Sequence, residues 1–228
     1  LPWRLRVLPV CASTELELER WLVAGTPPPL ALLARQQRHG HGQRGRVWHA
    51  PPGGVWLSAA LPWPAEPAGS AALALAAAVG IVLQLEALGL RPQIKWPNDL
   101  LLNGRKLAGS LPRLRWRGGR VLYAQLGVGL NGVNRVPAGG IPLAEALGHR
   151  RHPQAQPERL AARLLRGLEW AAAAAGQPEL VRRQAEQRLW RPDWLEHEGQ
   201  RWSVAGLAAD GSLRLRRGTA VALLQRRF

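Results

Sequence analysis

Not one of the 228 residues is methionine, so the chain as read is not expected to be a whole initial translation product. Cysteine occurs once, at Cys11. A lone cysteine closes no intrachain disulfide and builds no cysteine-based zinc site, and the scarcity suits a reducing compartment, the cytoplasm. Long hydrophobic runs are missing too. The longest, residues 71–83, is alanine-rich and too short to span a bilayer, so it predicts a buried core helix and no membrane partner. No signal peptide is expected ahead of the first apolar stretch. Acidic residues are few, 15 against 31 basic ones, for a formal net charge of +16.

Lysine is the most informative shortage. Only Lys95 and Lys106 are lysines, and both fall in residues 95–109, which read KWPNDLLLNGRKLAG. Elsewhere the chain uses arginine wherever a positive charge is wanted. A lysine withstands such replacement best where a compact ammonium cannot be exchanged for a broad planar guanidinium. That marks residues 95–109 as a suspected reaction centre. Pro97 ends a strand, the apolar run Leu100-Leu101-Leu102 resumes one, and Asn103-Gly104 is a strong two-residue hairpin turn. The turn returns Arg105, Lys106 and Leu107 antiparallel to that run, with Asp99 near one end of the hairpin.

What is present describes a folded chain: 46% apolar and 20% charged residues, in a length that suits one large domain or a large and a small one. The positive balance favours acidic partners or nucleic acid. The arginines are scattered, however, with no dense run and no recognition-helix motif, so specific DNA binding is not expected.

Residues 5–10 predict a strand leading into a helix that carries Leu16, Trp21 and Leu22, with Thr14 and Glu17 spaced as a capping box. Pro27-Pro28-Pro29 marks a loop before a strand at residues 30–35. Residues 37–48, QRHGHGQRGRVW, interleave Gly40, Gly42 and Gly45 with His39, His41, Arg44 and Arg46. Glycine lets a backbone pass close to a ligand, and arginine adds charge for a phosphate or carboxylate. No carboxylate or cysteine lies close by in sequence to complete a metal site on the two histidines, and no metal-ligating residue is assigned. Further on, the pattern predicts a strand at 54–61, an alanine-rich helix at 70–88 and a hairpin of 110–116 with 120–128. Two helices follow over 156–190, broken at Gly176-Gln177-Pro178, with Leu160, Leu164, Leu165 and Leu168 as core. Short strands at 202–204, 213–215 and 221–224 close the chain.

These motifs carry a resemblance. KWPNDLLLNGRKLAG resembles the signature of biotin protein ligases, from its Lys-Trp-Pro-Asn-Asp opening to its Lys-Leu-Ala-Gly close. Residues 37–48 resemble that family's Gln-x-x-Gly-Arg-Gly-Arg-x-Gly-Arg-x-Trp, matching at Gln37, Gly40, Gly42, Gly45, Arg46 and Trp48. They depart at His41 and Gln43, where the family usually has arginine. Ser13-Thr14-Glu15 resembles its Ser-Thr-Asn, with Glu15 in place of Asn, and residues 127–131 resemble its Gly-x-Gly-x-Asn.

The resemblance implies an α+β fold, like the class II aminoacyl-tRNA synthetase and biotin ligase mixed sheet with flanking helices. A catalytic domain over residues 1–188 and a small SH3-like β-barrel over 189–228 are the expected division. Some members carry an N-terminal DNA-binding winged helix; this chain starts a few residues before the first catalytic strand, so repressor function is not expected. The implied chemistry joins biotin and Mg2+-ATP into biotinyl-5′-AMP, then transfers biotin to a lysine of the biotin carboxyl carrier protein of acetyl-CoA carboxylase. Lys106, Asp99 and Arg46 would be catalytic: a cation for the transition state, a group to orient or deprotonate the acceptor lysine, and a second cation. Ser13, Thr14, Glu15, Gln37, His41, Gly42, Gln43, Lys106 and Gly109 would bind biotin. Gly40, Arg44, Arg46, Trp48, Asn98 and Asn131 would hold ATP and the adenylate. A monomer and a homodimer both stay open. The alternatives are a lipoyl or octanoyl transferase, whose Arg-Arg…Gly-Gly-Gly…His arrangement is not found, and a non-catalytic arginine-rich nucleic-acid binder.

Overall fold

Residues 30–34 and 55–61 are apolar almost without interruption, the pattern of strands covered on both faces. The computed structural model describes residues 1–64, 69–149 and 152–225. Its first half runs β1 (Arg4–Leu8), α1 (Thr14–Val23), β2 (Leu30–Ala34), β3 (Val55–Leu61), α2 (Gly69–Glu86), β4 (Gln93–Lys95), β5 (Asp99–Leu102), β6 (Arg105–Arg117) and β7 (Arg120–Leu130). Then come α3 (Leu143–Ala146), α4 (Pro157–Ala174), α5 (Pro178–Gln187), β8 (Leu195–His197), β9 (Gln200–Leu207), β10 (Leu213–Arg217) and β11 (Ala220–Leu224). Seven strands form a mixed sheet in the order β1-β2-β3-β7-β6-β5-β4, in which only the β1–β2 pair is parallel.

Every residue of β2 and β3 is buried because each face has its own cover. On one face Leu30, Leu32 and Ala60 pack with Leu18 and Trp21 of α1. On the other, Ala31, Leu33, Ala59 and Leu61 join α2 and α4 in the main core. The α2 sequence is apolar on all sides, as suits a helix held between a sheet and a second helix. The α1 helix is seated by charge as well: Glu15 pairs with Arg113 at 3.0 Å and Glu19 with Arg115 at 2.5 Å. Four residues of helix rise about 6 Å and two of strand about 6.7 Å, so the two pairs match along their axes.

Several expectations shift by a residue or a face. The α1 cap is Ser13, whose Oγ accepts from the Glu15 N–H, and not Thr14. Thr14 instead spends its hydroxyl on the sheet. Leu16 is 46% exposed, and Leu18, not Leu16, enters the core. The return arm of the Asn103-Gly104 turn and the next expected strand are one strand, β6, of 13 residues. Both turn residues have positive φ, 51° and 73°, as a type I′ hairpin demands. The strand continues because a bulge absorbs one residue: Leu101 faces Lys106, yet Leu100 faces Ala108. The C-terminal strands form a four-stranded antiparallel sheet, β11-β10-β9-β8, in which β8 was not anticipated. Its Trp202, Leu207, Leu213 and Leu215 join the main core.

Where α2 crosses α4, Gly80 and Gly167 bring the two backbones together, and a Cβ on Gly80 would overlap the Gly167 carbonyl oxygen. Alanine is the better helix former by about 1 kcal/mol, but overpacking costs about 1–3 kcal/mol. Gly80→Ala is therefore expected to lower the denaturant midpoint, whereas Gly176→Ala, with nothing within 4 Å of its added methyl, stays near wild type.

Candidate active site

The pocket opens on the α1 face of the sheet, where small residues leave room. In register across the strands, Ser58 faces Gly127 and Gly127 faces Leu111, while Trp56 faces Gly129 and Gly129 faces Gly109. The Gly109–Gly129 pair forms a bare patch of backbone on which the Trp48 ring lies. A Cβ on Gly129 would overlap that ring, and one on Gly109 would stand 3.2 Å from it. Trp48 also meets the buried Trp56 edge-on, with centroids 6.4 Å apart. The cavity encloses about 180 Å³.

One end is a hydrogen-bonded cluster. The Thr14 N–H and hydroxyl both donate to Gln37 Oε1, at 2.8 and 3.0 Å, and the hydroxyl shares a 2.8 Å bond with Ser58 Oγ. Ser58 and Thr14 are buried, so these partners are required rather than optional. With the strand-to-helix junction at Ser13 and the loop at Gln37 tied together, three separate segments present polar edges to one space.

The other end is charged. Lys106 Nζ lies 2.8 Å from Asp99 Oδ1 and 5.0 Å from the Trp48 ring centroid. The β6 bulge is what aims it there. Strict alternation would put Lys106 on the face of Ala108; the extra residue puts it on the face of Gly109 and Leu111. Above the pocket, residues 37–48 form a small hairpin closed by Trp48 N–H to Gly40 O at 2.9 Å and Gly42 N–H to Arg46 O at 2.7 Å. Arg46 lines the pocket from this hairpin. The Nε2 of Gln43 and the Nε1 of Trp48 are buried donors without a hydrogen-bond partner among the described residues. Unpaired donors and an ammonium around one cavity fit a ligand rich in acceptors or negative charge. Cys11 is no nucleophile: burial, with help from the Glu17 carboxylate, pushes its thiol up to about 11.

Ser13, Thr14, Glu15, Gln37, His41, Gly42, Gln43, Arg46, Trp48, Asn98, Asp99, Lys106 and Gly109 all line this one cavity. Gly40, Arg44 and Asn131 do not. Arg44 is exposed at the hairpin tip, with φ 58°. Asn131 accepts from Asn134 Nδ2 at 3.1 Å and donates to Lys106 O at 3.4 Å, bracing the Lys106 backbone from behind. Sequence reasoning missed Ser58 and Leu111, and it singled out residues 127–131 for Asn131 rather than for the wall made by Gly127 and Gly129. Glycines at alternate positions of a strand were the available signal for that wall.

Residues 7–131 match the model of the Biotin/lipoate A/B protein ligase family. A bifunctional ligase/repressor of Bacillus subtilis is 36% identical over 130 residues, 56% of this chain and 40% of that protein. A biotin–[acetyl-CoA-carboxylase] ligase of Mycobacterium tuberculosis is 33% identical over 175 residues, 73% of this chain and 64% of that protein. The matched stretches thus span less than two thirds of either relative. In fold, a biotin protein ligase from Aquifex aeolicus in complex with biotin and ATP superposes with a TM-score of 0.77 at 22% identity, over 97% of this chain and 95% of that one.

Thr14→Val keeps the shape of the side chain but leaves Gln37 Oε1 and Ser58 Oγ short of a partner. It is expected to destabilise the protein by about 1–3 kcal/mol in denaturant titrations, more than Thr14→Ser, which keeps the hydroxyl.

Proposed function

Since the chain belongs to the biotin/lipoate A/B protein ligase family, we propose that it is an ATP-dependent biotin protein ligase. It forms biotinyl-5′-AMP and passes the biotinyl group to a lysine of the biotin carboxyl carrier protein of acetyl-CoA carboxylase. One observation carries the reading: the cavity sets an ammonium, Lys106, opposite a polar cluster at Thr14, Gln37 and Ser58. Biotin has a ureido ring that needs polar partners at one end and a carboxylate that needs a cation at the other. The names of the Mycobacterium relative and of the Aquifex structure support the same substrate.

In the first step a biotin carboxylate oxygen bonds to the α-phosphorus of ATP, and the bond to pyrophosphate breaks. Negative charges converge there, so fixed cations stabilise the transition state. Lys106 is the point charge for that task, and Arg46, which has no ion-pair partner among the described residues, is the second cation. Ser13, Thr14 and Gln37 read the ureido group, and Trp48 covers the apolar ring and chain. In the second step the acceptor amine attacks the acyl carbon and AMP leaves. A protonated amine is no nucleophile, and Asp99, beside Lys106, is the group to orient it or take its proton. Asn98 lines the same end, with Nδ2 donating to Ser110 O at 2.5 Å.

Mg2+ belongs to this reading as the ion carried on the ATP phosphates. Among the described residues no three His, Cys, Asp or Glu side chains gather to hold a resident metal, and Asp99 and Glu15 already face Lys106 and Arg113. Residues 1–188 are the catalytic unit and 189–228 an accessory β module in the same proposal; Trp190 N–H to Ile94 O, 2.9 Å, marks the exit from the large sheet. No helix among the described residues is long and apolar enough to cross a membrane, and we place the enzyme in the cytoplasm.

Biotin-dependent exchange of pyrophosphate into ATP tests the assignment, with lipoate and octanoate as competing acids. Exchange with biotin alone is the expected result, and exchange driven by lipoate would overturn it. Biotin and ATP together are expected to raise Tm more than either one, because the adenylate would touch both ends of the pocket. Lys106→Arg keeps the charge but displaces it. Misplacing a catalytic group by about 1 Å costs on the order of a hundredfold in rate. Lys106→Arg should lose most exchange at unchanged Tm, while Arg105→Lys, whose guanidinium faces Glu145 away from the pocket, stays near wild type.

A further inference from the structure

Two departures from the family motif, Glu15 and His41, lie 26 residues apart in sequence and meet in space. His41 Nε2 is 2.9 Å from Glu15 Oε2. The other carboxylate oxygen, Oε1, is 3.0 Å from Arg113 Nη1 of β6. The Glu15 side chain is only 9% exposed, so both oxygens are committed inside the protein. On the far side of the imidazole, Nδ1 is 3.3 Å from the His39 carbonyl oxygen. Both ring nitrogens therefore face oxygen atoms, so the imidazole is held between the Glu15 carboxylate and the loop backbone. Glu15 also sits in the first turn of α1, where a carboxylate suits the helix N-terminus.

We propose that Glu15 and His41 act as a fastener, joining α1 to the hairpin of residues 37–48 across the cavity and thereby setting how long a bound ligand is retained. Both are positioning residues; neither needs to bond the ligand. The hairpin's base is held by backbone: Arg38 N–H to Cys11 O at 3.0 Å, His39 N–H to Ala12 O at 2.9 Å and Gln37 N–H to Ala50 O at 3.0 Å. Beyond that base, Arg44, Gly45, Arg46 and Val47 are exposed. Among the described residues, Trp48 on its glycine bed and His41 on Glu15 bring this outer part against the body. Releasing either frees the segment that carries Gln43 and Arg46 over the pocket. An asparagine at 15 would give His41 no charge, and an arginine at 41 beside asparagine would meet none. The two departures are halves of one contact.

The ligand part of this inference rests on the function proposed above; the fastening itself does not, and the test separates them. Hydrogen–deuterium exchange of residues 40–48 is followed in ligand-free protein. His41→Ala, at a side chain 38% exposed, should leave Tm unchanged and speed exchange there about two- to fivefold, the range of a partly exposed polar contact. Glu15→Gln, which also loses its ion pair with Arg113, should lower Tm yet speed exchange of residues 40–48 to the same extent, and the double variant should exchange there no faster than the faster single one. His41→Arg, which places a guanidinium facing the carboxylate, should retain protection. Unchanged exchange in the single variants, or effects that multiply in the double one, would overturn the fastener. In the second arm, release of biotinyl-5′-AMP after rapid dilution should follow the same order among the four variants. Release that ignores the exchange order would overturn the role in retention. A protein that makes no adenylate fails the functional reading alone, since exchange still decides the contact.

Discussion

A sheet covered on both faces cannot leave its interior polar atoms to water, and that constraint shapes both the core and the site. Over β2 and most of β3 the cover is apolar and complete, from α2 and α4 behind and α1 in front. The pocket is where the front cover stops. Polar side chains there find one another, as Thr14, Gln37 and Ser58 do, or stay unpaired, as Gln43 Nε2 and Trp48 Nε1 do. A buried donor without a partner is costly, and the two that line this cavity are ready to bond a ligand placed there.

Space in that site is made by omission. Gly109, Gly127 and Gly129 remove side chains from neighbouring strands in matching register, and Trp48 occupies part of the area they leave. The remaining opening is bounded by the Lys106–Asp99 pair at one end and the hydroxyl cluster at the other. Charge is deployed with similar economy. Carboxylates are scarce in a chain of net charge +16, yet Glu15 and Glu19 both serve to seat α1 on arginines of β6.

Much of this was legible beforehand. Local pattern set the strands at β2 and β3, the apolar helix α2, the Asn103-Gly104 turn and the break between α4 and α5, because each depends on residues within about a dozen positions. The motif residues were legible as chemistry for a related reason: lysine among arginines at Lys106, glycine among cations in residues 37–48. What stayed hidden was parity. Ser58, Leu111 and Gly129 share a face with Lys106 through inter-strand register and one bulge, and a sequence window sees neither. The cap moved from Thr14 to Ser13 because Thr14 had a better partner 44 residues away, in Ser58.

The sequence by itself determined which elements form and which side chains have reactive or binding chemistry, since propensity, periodicity and functional-group identity are local properties. Tertiary structure decided which of those side chains meet. It turned Lys106 toward Gly109 through an extra residue in β6. It set Glu15 between His41 and Arg113, which approach from a loop and a strand far from it in the chain. Such meetings follow from how helix α1 and the sheet dock as whole bodies, and docking is fixed by the sum of many packed contacts rather than by any stretch of residues read alone.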